Sequence, residues 1–123
     1  MVVIDTNMLV DVLRGVPMAV AALERRADDE VVVPSMVRFE VLAGARPSEM
    51  SSIESLLDVC IDAPVDASIA DEAARLARRY MRSHSGIDPI DYVVAATARL
   101  LGAELLTRNV KHFPMFRRLK APY

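Results

Sequence analysis

Cysteine is nearly missing from this chain. Cys60 is the only one in 123 residues, which excludes a disulfide framework and a cysteine-built zinc site. The two histidines, His84 and His112, lie far apart in sequence; both read as ordinary surface or packing residues, which again disfavours zinc. No apolar run approaches the roughly 18 residues of a membrane span. The N-terminal apolar run is too short for a signal peptide, lacks a basic lead and stops at Asp5. A soluble cytoplasmic protein is expected. Internal repeats, linkers and low-complexity segments are also missing, and 123 residues suit one compact domain spanning 1–123. Finally, no acid follows Glu104, whereas Arg108, Lys111, Arg117, Arg118 and Lys120 crowd the tail. The net charge of −2 argues weakly against a nucleic-acid partner. The basic strip suits a phosphate backbone, or is simply the solvated surface of a short tail.

The chain is rich in core-forming residues, 53% being hydrophobic. Val2-Val3-Ile4 reads as a buried central strand that delivers Asp5 to its C-terminal edge, where ligands bind in open α/β sheets. Thr6 or Asn7 can cap a short helix to Arg14, stopped by Gly15. Pro17 opens a second helix reaching Arg26. Val31 to Val33 is a second buried strand. Ser35 caps a helix from Met36 to Ala43, and Pro47-Ser48 opens another. Val59 to Pro64 is expected as a third strand. Asp66 or Ser68 starts an amphipathic helix carrying Ile69, Ala73, Leu76 and Tyr80 at helical spacing. Asp88-Pro89 opens a helix whose body, Tyr92 to Leu101, is apolar almost all round and therefore buried against the sheet. Glu104 to Thr107 is a fourth strand, and Phe116 to Leu119 a short fifth. Strands alternating with helices imply a three-layer α/β/α fold around a central parallel sheet of four to five strands.

Three acids do not fit a solvated surface. The residues three and four positions from Glu40 on its helix are Met36, Val37, Ala43 and Gly44, so no cation shares its face. A carboxylate buried there is costly without a partner; the other reading is a surface acid in an irregular pattern. Around Asp91 the corresponding residues are Ile87, Asp88, Val94 and Ala95, and its only polar companion is another acid, which repels it unless something positive sits between them. Asp88 reads mainly as the N-cap of that helix, with Asp91 also suited to its first turn. Asn109 follows the fourth strand as Asp5 follows the first, and can serve as a cap, a site residue or both. Unpaired acids converging at one sheet edge describe a site for a hard divalent cation, Mg²⁺ or Mn²⁺. The chemistry that fits is metal-assisted phosphodiester hydrolysis.

Val-Ile-Asp5-Thr-Asn, Phe-Glu40-Val-Leu-Ala-Gly-Ala, Asp91-Tyr-Val-Val-Ala-Ala-Thr-Ala and Leu-Leu-Thr-Arg-Asn109-Val-Lys-His-Phe resemble the four motifs of PIN-domain nucleases, in order and along the whole chain. The short length and the Ala-Ala-Thr-Ala and Thr-Arg-Asn forms are similar to VapC-type toxins of toxin–antitoxin pairs. The resemblance implies that Asp5, Glu40 and Asp91 are the acidic metal residues, with Asn109 at a fourth position that is frequently Asp. Asparagine adds no charge there, a deficit that Asp88 is a candidate to make up; Thr107 is a further candidate site residue. The resemblance also implies a Mg²⁺- or Mn²⁺-dependent endoribonuclease that cuts RNA, often structured RNA such as tRNA. A homodimer and a VapB-type antitoxin whose C-terminal segment fills the acidic groove come with it. Arg108 and Lys111, close to Asn109, are placed to contact RNA.

Other classes fail at particular residues. A Mg²⁺-binding receiver domain requires adjacent acids after the first strand, where Thr6-Asn7 stand. An Asp-x-Asp phosphatase fails at Asn7, and a dinucleotide-binding module lacks Gly-x-Gly-x-x-Gly. The rival that survives is a non-catalytic RNA- or partner-binding PIN-like domain, favoured by Asn109.

Overall fold

The computed structural model describes residues 1–123. Four parallel strands, β1 (Val2–Ile4), β2 (Val31–Pro34), β3 (Ile61–Ala63) and β4 (Glu104–Leu106), form one sheet in the order β3-β2-β1-β4. Val3 pairs with Val32 on one side and Leu105 on the other, and all three residues of β1 are buried. A strand buried on both faces needs an unbroken β-branched run rather than an alternating one, and Val-Val-Ile supplies it.

Six α-helices flank the sheet: α1 (Thr6–Leu13), α2 (Pro17–Glu24), α3 (Ser35–Ala43), α4 (Met50–Asp58), α5 (Ala67–Tyr80) and α6 (Pro89–Leu101). Parallel crossovers are right-handed. Stepping outward from β1 to β3 therefore lays α1 to α4 on one face, and the return to β4 lays α5 and α6 on the other. The side chains agree: Ile4 shares a hollow with Leu9, Leu23 and Leu56, while Val32 shares one with Ile69 and Leu100. The direction of travel reverses between β1 and β4, so the crevice at their C-terminal ends is the switch point where this architecture binds ligands. No single helix is long and apolar enough to cross a membrane.

Helix α6 positions the site most directly. Asp88 is its N-cap and accepts from the Asp91 backbone N–H, Pro89 is its first residue, and the Asp91 side chain accepts from the Asp88 N–H in return. Gly102 ends it at φ +60°, a left-handed conformation that residues with a Cβ adopt at a cost. Asp91, Tyr92 and Val94 to Ala98 are buried, as the apolar body of this helix predicts.

Several local expectations are corrected. Phe116 to Leu119 is not a fifth strand; Phe116 N–H donates to Phe113 O and Leu119 N–H to Phe116 O, the i→i−3 pattern of successive turns. The fully buried Phe113 and the Phe113–Phe116 ring contact at 6.4 Å hold the segment by side chains instead. Neither Thr6 nor Asn7 caps α1: Asp5 does, accepting from Thr6 N–H. Pro34 occupies the cap position of α3, so Ser35 is already helical, and its hydroxyl donates to Ala63 O. The third strand is shorter than Val59 to Pro64 and mostly exposed, because it is the sheet edge.

Candidate active site

Asp5 leaves β1 in extended conformation and turns directly into α1, so its carboxyl is fixed by backbone at both ends. Oδ1 accepts from Thr6 N–H at 2.8 Å, and Oδ2 accepts from Thr107 Oγ1 at 2.7 Å and Asn7 Nδ2 at 3.3 Å. Thr107, immediately after β4, is completely buried and also accepts from Asn109 N–H at 3.0 Å. The Asn7 amide closes the other side of the crevice, its Oδ1 accepting from Arg108 N–H at 3.1 Å. Thr6 Oγ1 donates to Glu40 Oε1 at 2.7 Å, which connects α3 to Asp5 through one residue. A continuous polar network thus joins the ends of β1 and β4 to the half-buried Glu40.

Asp91 approaches from α6. Its carboxyl is pushed up to about 6, chiefly by burial; the charges of Asp88 and Asp5 push the same way, while the Asp88 N–H and His112 pull it down. Asp5 is also raised, again first by burial and further by Asp88, against the hydrogen bonds from Thr107 and Thr6. Both acids therefore sit where negative charge is penalised and a positive charge is wanted. His112 Nδ1 lies 3.1 Å from Asp91 Oδ2, but without hydrogen-bond alignment, and this buried ring nitrogen is left unpaired.

The sequence-derived residues fare differently. Asp5 and Asp91, with the mainly capping Asp88, are close enough to disturb one another's protonation, and Glu40 joins through Thr6. Asn109 is exposed and stands at the start of a 3₁₀ turn, Val110–His112, where its side chain makes no capping bond; it enters the network by its backbone. Thr107 is an anchor of Asp5. The Arg108 guanidinium pairs with Asp11 at 3.0 Å and lies 5.8 Å over the Tyr123 ring, whose hydroxyl donates to the same Asp11 at 2.6 Å. Lys111 is exposed and makes no ion pair. Thr6, Asn7 and His112 belong to the network although their residue types gave no warning. For Thr6 and Asn7 the available signal was adjacency to Asp5. For His112, expected as a surface or packing residue, there was none, because it meets Asp91 only through the tertiary fold.

The donors offered are hard carboxylate oxygens with surplus negative charge, a set that fits Mg²⁺ or Mn²⁺ rather than zinc. No three acid or histidine side chains close on one point as a ready-made cage. Mg²⁺ does not require one, since it binds through one or two carboxylates and keeps waters for phosphate to replace.

Comparison with known proteins identifies the family. The PIN domain profile matches residues 2–120. Ribonuclease VapC19 of Mycobacterium tuberculosis is 46% identical over the full length of both chains. Ribonuclease VapC10 of the same organism is 37% identical, over all of this chain and 93% of its own. Among solved structures, a toxin–antitoxin complex from Klebsiella pneumoniae superposes with a TM-score of 0.86 at 27% identity, covering 100% of this chain and 98% of that one. VapBC2 from Rickettsia felis, bound to a DNA fragment from its promoter, shares the fold at a TM-score of 0.82 and 21% identity, over 98% of this chain and 97% of its own. From Val2 to Lys120, the chain belongs to the PIN-domain family, in its VapC ribonuclease branch.

Proposed function

We propose that residues 1–123 act as one PIN domain, a divalent-metal-dependent endoribonuclease toxin that cuts RNA and is neutralised by a VapB-type antitoxin. The observation that carries this reading is the pair of buried carboxylates, Asp5 and Asp91, both raised in pKa at the β1/β4 switch point. The relatives named ribonuclease VapC and the toxin–antitoxin neighbour support it. Asp5, Asp91 and Glu40 would hold Mg²⁺ or Mn²⁺, with Asp88 as the capping neighbour and Asn109 at the rim. A cation bound there would supply positive charge to the carboxylates and the scissile phosphate and would lower the pKa of a bound water. The chain's own contribution is orientation. Thr107 and Thr6 hold both Asp5 oxygens, Thr6 ties Glu40 to the same turn, and Asn7 fixes the loop carrying Arg108. Lys111, unpaired at the rim, is the freer phosphate contact; Arg108 must share its guanidinium with Asp11. The family resemblance supports a homodimer, which light scattering tests.

Purified, antitoxin-free protein incubated with total RNA is expected to yield discrete fragments with Mg²⁺ or Mn²⁺. EDTA and Asp91→Ala should each abolish them. A folded protein that binds metal and RNA without shortening the RNA would instead support the non-catalytic binder that Asn109 favours.

A further inference from the structure

The tertiary structure splits the basic tail into two groups. Arg108 and Lys111 lie on the segment after β4, where Arg108 pairs with Asp11 and Lys111 is exposed. Arg117, Arg118 and Lys120 line a separate hollow of about 590 Å³ that runs beside β4 from Ala103 to Leu105, floored by Leu105 and Phe116. All three cations are exposed and none makes an ion pair. The one acid lining the hollow, Glu104, is held by Arg26, so the hollow presents three uncompensated positive charges in a chain whose net charge is −2. Strand β4 lies at the edge of the sheet. Along β4 the hollow begins at Leu105, roughly 7 Å from Thr107, and reaches Ala103, roughly 13 Å away, at about 3.3 Å per residue.

We propose that this hollow is an accessory docking site for the phosphate backbone of the RNA substrate, outside the nucleotides that flank the cut bond. The proposal rests on the ribonuclease reading and deepens it. A second, remote set of phosphate contacts makes a long or folded RNA a better substrate than a short strand spanning only the cleavage point. RNA is favoured over an acidic protein segment because the same acid-free tail that carries these three cations also carries Arg108 and Lys111 next to Thr107 and Asn109, beside Asp5. Lone cations without carboxylate partners suit backbone contacts that carry no sequence information.

The test is the triple variant Arg117→Ala/Arg118→Ala/Lys120→Ala in the full chain, with its melting temperature checked against the parent. Binding of a labelled tRNA pool is measured in EDTA across a salt series. Cleavage with Mn²⁺ is followed on tRNA and on a short oligoribonucleotide containing one mapped cut site. The variant is expected to bind tRNA more weakly, with a log K against log [salt] slope shallower by about two, at about 0.7 per lost contact. Its kcat/KM should fall about tenfold or more on tRNA, through KM, and stay unchanged on the oligonucleotide. Equal losses on both substrates, or an unchanged salt slope, would overturn the docking site. So would loss of affinity for an acidic antitoxin segment with tRNA binding intact. A parent protein that cuts neither RNA would defeat the ribonuclease reading itself, a result distinct from all of these.

Discussion

Asp91 carries the clearest consequence of burial at the level of single residues. Its carboxyl sits at about 6 in the folded chain against an ordinary 3.8, so between those values the folded state binds more protons than the unfolded state. Stability of the metal-free protein should therefore fall as pH rises from about 4 through 6 and level off above. The shift sets an upper bound of about 3 kcal/mol. Asp91→Asn, which can still accept from Asp88 N–H, should raise the melting temperature of metal-free protein at pH 7.5 while giving little gain at pH 4.5. An equal gain at both pH values would mean that charge burial is not the cause. Thr107 acts in the opposite sense. It is fully buried and donates to Asp5, so Thr107→Val should cost about 1–3 kcal/mol by leaving a buried carboxylate oxygen short of a donor. Thr107→Ser should recover most of that loss, as denaturant titration of the three proteins would reveal.

At the scale of elements, the first turn of α6 combines two roles in adjacent acids. Asp88 caps the helix and also adds negative charge beside Asp5 and Asp91. Replacing it separates the roles: Asp88→Ala should lose about 1 kcal/mol of stability through the cap, whereas Asp88→Asn, itself a good cap, should not. If Asp88 also serves the cation, both variants should bind Mn²⁺ more weakly by calorimetry. If it is only a cap, both should bind like the parent. This element was legible in advance, because Asp-Pro opening an apolar run and Gly closing it are local signals that packing did not overrule. The segment from Phe116 to Leu119 was not legible, because a short apolar run reads equally as a strand or as a turn pinned by its side chains. The start of α1 was misplaced by a residue or two for a related reason. Asp5 caps and Thr6 is freed to reach Glu40, a choice made by a partner on another helix.

Considered as a whole, the molecule brings together the acids at the end of β1 and the start of α6 and ties Glu40 of α3 to them through Thr6, and an ion binding there should stabilise the fold. At about tenfold excess over Kd, a bound cation adds about 1.4 kcal/mol, worth several degrees in Tm. Mn²⁺ should produce that rise in the parent, and Asp5→Asn should erase it. A rise that survives in Asp5→Asn would place the ion elsewhere. The layered α/β architecture and the candidacy of Asp5, Glu40 and Asp91 followed from the sequence alone. Strand–helix alternation is a periodic signal, and an acid lacking a cation at helical spacing stands out in one dimension. Only the tertiary structure decided which polar side chains fasten those acids, that His112 lies against Asp91, and that Arg117, Arg118 and Lys120 line a hollow beside β4 while Arg108 turns to Asp11. Each of those contacts joins residues from separate elements, and no local pattern encodes the path by which a chain brings them together.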